Sequence, residues 1–125
     1  MSERRLVLVA HGSRKASWRR PIEAYEATLA SELGTERVRL AYMKFAGPTL
    51  ADVAAEAALD GHDHLLVLPL ILSGGGHMSH DIPEQIAELQ ERHPGLTVEL
   101  LPPVGEHAGA RALVLGIASG YLSPD

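Results

Sequence analysis

Two histidines carry the chemistry this sequence offers. His11 follows the apolar run Leu6-Val7-Leu8-Val9-Ala10, and His77 closes the run Gly74-Gly75-Gly76, which itself follows the apolar stretch from Leu65 to Leu72. Neutral imidazole ligates first-row divalent cations and exchanges protons near physiological pH, so the pair suits metal binding, proton transfer or both. They stand 66 positions apart, which is no metal motif by itself. Either chemistry therefore requires the fold to bring them together. Otherwise His11 is a polar strand terminator and His77 an ordinary loop residue. Ser13, Arg14 and Lys15 offer a hydroxyl and two cations to carboxylates, with Arg19 and Arg20 behind them. The three glycines strip side chains from their turn, so a ligand can approach the backbone closely. They lack the Lys-Ser/Thr pair of a P-loop and the spacing of a dinucleotide fingerprint, so no nucleotide is expected. A flat ligand uses such clearance equally well.

Five further histidines are weaker candidates. His80 lies at a helix boundary, Ser79-His80-Asp81, and suits a supporting part. His107 opens the last helix on the same sheet edge as the first pair, and His62, His64 and His93 fall at turns on the opposite edge, where a surface role is expected.

The elements that must position these residues follow from apolar periodicity. Leu6 to Ala10 is a run of β-formers suited to a strand buried on both faces. Trp18, Ile22, Tyr25, Leu29 and Leu33 recur at helical spacing and predict a helix from Ala16 to Leu33, regular from about Pro21 and stopped by Gly34. Arg37 to Tyr42 alternates and predicts a more exposed strand near the sheet edge. Met43 to Pro48 is a loop, and Thr49 caps an Ala-rich helix from Leu50 to Leu59. A third strand begins at Leu65. Asp81 is a candidate N-cap for a helix from Ile82 to Arg92, with Pro83 in its first turn and Glu84 in the reciprocal capping position. Leu96 to Leu101 is a fourth strand, and Glu106 to Leu122 a final helix. Four strand-helix alternations over residues 1–125 predict a single α/β domain, a three-layer sandwich with a four-stranded parallel sheet in the order 2-1-3-4. In that order strands one and three are neighbours, and both histidines fall at the switch point above their carboxyl ends, where such sheets bind ligands.

Composition removes several classes of function. A net charge of −5 argues against general nucleic-acid binding, and the absence of cysteine excludes disulfides and thiolate metal sites. No apolar stretch reaches the roughly 20 residues that span a bilayer, so a soluble, cytoplasmic protein without membrane contact is expected. Aromatic residues make up only 4% of the chain, so the core must be aliphatic.

Val9-Ala10-His11-Gly12-Ser13-Arg14, taken with Pro69-Leu70-Ile71-Leu72-Ser73-Gly74-Gly75-Gly76-His77 and Asp81-Ile82-Pro83, closely resembles the short form of the CbiX family. These are class II chelatases that insert a divalent metal into sirohydrochlorin. The segments Ala41 to Pro48 and Leu101 to His107 also fall in family order. The resemblance implies a half-size chelatase-like fold acting as a homodimer. It implies ATP-independent insertion of Co²⁺, with Fe²⁺ or Ni²⁺ as alternatives, into sirohydrochlorin or a related tetrapyrrole in cobalamin- and siroheme-type biosynthesis. The family's two active-site histidines fall on His11 and His77, which would bind the incoming metal and accept protons from the pyrrole nitrogens. Ser13, Arg14, Lys44, Gly75 and Gly76 would meet the tetrapyrrole. A dimer also has a physical motive: a macrocycle is large for one four-stranded floor, and the last helix, with Ala110, Leu113, Val114, Ile117 and Leu122, is more apolar than one buried face requires.

One departure stands out. Family members commonly carry a glutamate after strand two, where this chain has Met43-Lys44, leaving Glu106 or a second subunit to supply an acid. That departure motivates the alternative of a non-catalytic carrier that binds tetrapyrrole or metal. Two other classes fail on sequence. Histidine phosphatases need Arg before the histidine of their His-Gly strand end, where this chain has Ala10, and the Gly-x-Ser-x-Gly elbow of α/β-hydrolases is absent.

Overall fold

The computed structural model describes residues 4–74, 76 and 78–123, the side chains of Met78 and Ser79 excepted. Gly75 and His77 lie outside the described residues. In chain order the elements are β1 (Arg4–Ala10), α1 (Ala16–Leu33), β2 (Val38–Tyr42), α2 (Leu50–Asp60), β3 (His64–Pro69), α3 (Met78–Arg92), β4 (Thr97–Leu100), a 3₁₀ turn (Val104–Glu106) and α4 (Ala108–Leu122). The four strands form one parallel sheet in the order β2-β1-β3-β4.

Each face of the sheet collects alternate residues of its strands. Val7 and Val9 of β1, Leu65 and Val67 of β3 and Val98 of β4 point one way, into a core completed by Leu50, Val53, Ala54 and Ala57 of α2 and Ile82, Ile86 and Leu89 of α3. The core is aliphatic, as the composition requires. On the other face Leu8, Ala10, Val38, Leu40 and Tyr42 meet Ile22 and Leu29 of α1. That second layer is thin, because α1 has no buried residue of its own. At the amino edge of the sheet the buried Arg5 guanidinium pairs with Glu56 at 3.0 Å and Asp60 at 3.5 Å, and Arg39 joins the same Glu56. This network ties β1 and β2 to α2, on the side away from the strands' carboxyl ends.

Four expectations need correction. β2 is at the sheet edge but is buried along most of its length, because α1 and α2 cover its two faces. α1 is helical through Pro21 rather than only after it; the proline is exposed, so the carbonyl it leaves unpaired is open to water. α3 starts at Met78, which turns Asp81 from N-cap into a first-turn carboxylate facing the positive end of the helix dipole. His62 is buried, not a surface residue, and His64 is half-buried in β3.

Candidate functional site at the carboxyl edge of the sheet

The loops after β1, β2 and β3 are stitched together beyond the strand ends. Met43 N–H donates to Ala10 O at 2.9 Å, Lys44 N–H to His11 O at 3.0 Å, and Leu70 N–H to Val9 O at 2.8 Å. His11 is thereby carried one ladder step past β1, exposed, with the β2 loop on one side and the β3 exit on the other. Gly12 makes the close approach possible. It adopts φ +104°, and a Cβ there would run into the Lys44 carbonyl.

Around His11 the structure builds a small wall. The Phe45 ring, held at φ +68°, stands with its centroid 6.2 Å from the His11 ring at a tilt of 43°. The Arg14 guanidinium lies over the Phe45 ring, 5.0 Å from its centroid. His11 Nδ1 makes a long contact, 3.4 Å, with the Gly12 carbonyl. A carbonyl only accepts, so this contact favours a proton on Nδ1 and a lone pair on Nε2, the nitrogen that can take a metal or a proton. Lys44 is exposed on the same loop as Phe45. Ser13 serves the turn: its hydroxyl accepts from Lys15 N–H at 3.1 Å, and its carbonyl accepts from Arg19 Nη1 at 2.7 Å. Arg19 therefore holds this loop rather than lining a solvated helix face.

Across the sheet, the glycine loop is clamped by the segment after β4. Gly105 N–H donates to Ile71 O at 3.0 Å, and a Cβ on Gly105 would meet the Leu72 backbone. The Glu106 carboxylate accepts from Gly74 N–H at 2.8 Å. Gly76 is exposed at φ +81°, and His77 follows it in the chain, immediately before α3. A cavity of about 240 Å³ opens beneath this clamp, apolar along Ile71, Ile82 and Leu101, with Glu106 as its charged group. His107 is engaged elsewhere, its Nε2 lying 2.8 Å from Pro102 O, and His80 is an exposed residue in the first turn of α3. Among the described residues, no group of three or more His, Asp and Glu side chains is arranged to hold a metal ion.

The structure thus gathers His11, Arg14 and Lys44 along one rim. It adds Phe45, which sequence reasoning left in a featureless loop; its only signal was being the chain's single phenylalanine, placed in a loop instead of the core. No described helix is long and apolar enough to cross a membrane.

Comparison with known proteins agrees with this fold. The sirohydrochlorin cobaltochelatase of Sulfurisphaera tokodaii is 28% identical over 100 residues, 80% of this chain and 78% of that one. The sirohydrochlorin ferrochelatase of Bacillus subtilis is 25% identical over 100 residues, but this chain spans only 38% of its length. Among solved structures, the CbiX protein from Marinobacter aquaeolei VT8 superposes with a TM-score of 0.80 at 29% identity, covering 96% of this chain and 98% of that one. SirB from Bacillus subtilis with Fe³⁺ shares the fold with a TM-score of 0.84 at 22% identity, covering 99% of this chain and 49% of SirB. The CbiX family model matches residues 5–116, and with the strand order of its fold in place, the chain belongs to the CbiX family.

Proposed function

We propose that this protein inserts a divalent metal ion into sirohydrochlorin or a closely related tetrapyrrole without a nucleotide, with Co²⁺ as the favoured ion and Fe²⁺ and Ni²⁺ as alternatives. The observation that carries this reading is the exposed His11 imidazole beside the Phe45 ring, on the rim of a chain that matches CbiX over nearly its whole length. Relatives named for cobalt and for iron insertion lend support to the reaction class.

In this reading His11 and His77 deliver M²⁺ to the ring and take up the two pyrrole protons that leave as the metal enters, which keeps charge balanced. Phe45 offers an apolar surface to the flat macrocycle. Arg14 and Lys44 pair with its peripheral carboxylates, and Gly75 and Gly76 give it room. Two copies of the chain would act together, one on each side of the macrocycle. The alternative, a carrier that binds tetrapyrrole or metal without turnover, rests on Lys44: its ammonium stands on the rim, repels a cation and supplies no proton acceptor.

The test is metallation of sirohydrochlorin with Co²⁺, Fe²⁺ and Ni²⁺ in parallel, followed by absorbance. His11→Ala and His77→Ala should each lower kcat/KM by roughly 10²–10⁴-fold, the usual worth of a positioned acid-base group. Binding without catalysed metallation in the unaltered protein would leave the carrier reading. Equal rates in the wild type and both variants would remove the histidines from the mechanism.

A further inference from the structure

In a hydrogen-bonded four-residue turn, the carbonyl of the first residue accepts the amide of the fourth. The bend Ile71-Leu72-Ser73-Gly74, which follows β3 and leads toward His77, does not close in this way. Both groups are taken by the segment after β4. Ile71 O accepts from Gly105 N–H at 3.0 Å, and Gly74 N–H donates to the Glu106 carboxylate at 2.8 Å. Two consecutive residues thus supply the donor and the acceptor that the bend would otherwise supply to itself.

The support behind Glu106 is stiff. Leu101 N–H donates to Val67 O at 2.8 Å, carrying the β3–β4 ladder a step further. Pro102 and Pro103 follow, each with φ fixed by its ring. Glu106 N–H then donates to Pro103 O at 2.9 Å, and the His107 ring closes back on Pro102 O. The approach to the bend is close at Gly105, where a Cβ would collide with the Leu72 backbone. Beneath the bend lies the cavity of about 240 Å³ rather than packed side chains, and Leu72 and Ser73 are exposed. Hydrogen bonds from residues 105 and 106, more than burial, therefore hold the bend open.

We propose that Glu106 is a positioning residue for metallation: by accepting the Gly74 amide it keeps the Ile71–Gly74 bend open, and so fixes the point from which the chain runs to His77. The proposal rests on the chelatase reading above and deepens it, giving Glu106 a part other than metal ligand or proton acceptor. Released from Glu106, the Gly74 amide has Ile71 O as an alternative partner, because a carbonyl that already accepts from Gly105 keeps a second lone pair. A bend that closes on itself shifts the start of the segment that carries His77. What position 106 must provide is an acceptor, not a charge.

Glu106→Gln, Glu106→Ala and Gly105→Ala can be compared with wild type by Co²⁺ insertion into sirohydrochlorin and by amide exchange at Gly74. Glutamine keeps an oxygen that accepts the Gly74 N–H, so Glu106→Gln should hold kcat within about threefold of wild type and leave Gly74 protected. Glu106→Ala should lower kcat by roughly 10²-fold, the cost of misplacing a reacting group by about 1 Å, while KM changes by less than about threefold. Gly105→Ala keeps the carboxylate but pushes its segment off Leu72, and should lose kcat as Glu106→Ala does. Glu106→Gln as slow as Glu106→Ala, with Gly74 still protected, would show the charge acting directly on metal or proton and overturn the positioning role. Full kcat in Glu106→Ala, or a loss confined to KM, would overturn it as well. A wild type without turnover removes the chelatase reading and the proposal together, whereas an active wild type matched by Glu106→Ala removes the proposal alone.

Discussion

At the scale of single residues, the rim is built by backbone as much as by side chains. His11 is displayed because Lys44 N–H continues the β1–β2 ladder one step past Ala10, and that step is open only to glycine at position 12. Glu106 does the equivalent for the other loop by accepting the Gly74 amide at 2.8 Å. The sequence made Glu106 a candidate acid for the missing glutamate; the structure gives its carboxylate a partner at the glycine loop, the Gly74 amide. Glu106→Ala should therefore loosen the loop without unfolding the protein. The carboxylate is exposed, so the loss in global stability should stay near 1 kcal/mol or below, while amide exchange at Gly74, followed by NMR, should accelerate at least tenfold. Unchanged exchange would show that the clamp rests on the Gly105–Ile71 bond instead.

At the scale of elements, α2 and α4 are opposites. α2 is anchored at both ends and along its inner face. Thr49 and Asp52 form a reciprocal capping box, with Thr49 N–H donating to the Asp52 carboxylate at 2.9 Å and Asp52 N–H donating to Thr49 Oγ at 3.1 Å. Gly61 closes the helix in the left-handed region. Thr49→Ala removes one half of that box and should cost about 1 kcal/mol in chemical denaturation, without altering the rim chemistry. α4 has neither a side-chain cap nor a buried face. Its composition is that of a core helix, and its own chain gives it no core.

At the scale of the molecule, the response of the fold to alkaline pH centres on Tyr42, the last residue of β2. Its side chain is buried, and burial, reinforced by the nearby Glu23 carboxylate, raises its pKa above the ordinary tyrosine value. The folded state thus holds this proton more tightly than the unfolded chain does. The stabilisation is complete below about pH 10, the unfolded value, and is lost as pH climbs through the folded one. Between pH 10 and 11 the wild type should lose unfolding free energy faster than Tyr42→Phe, measured by denaturant titration at each pH. Parallel slopes would mean that Tyr42 does not govern the alkaline limb.

Much of this architecture was legible without coordinates. Alternating apolar runs and helical periodicities are local properties, so strand number, parallel order and the bounds of α1 and α2 followed from them. The histidine that ends β1 was readable for the same reason. Other features depend on what meets across the chain. β2 carries Arg39 at its second position yet is buried along most of its length, because helices from two different connections cover it. Phe45 becomes part of the rim only when Gly12 admits the β2 loop against His11. An apolar final helix could be read from composition alone, but whether its own sheet would receive it could not. Periodicity states how much surface an element needs to bury; the tertiary arrangement decides which surface is free to bury it.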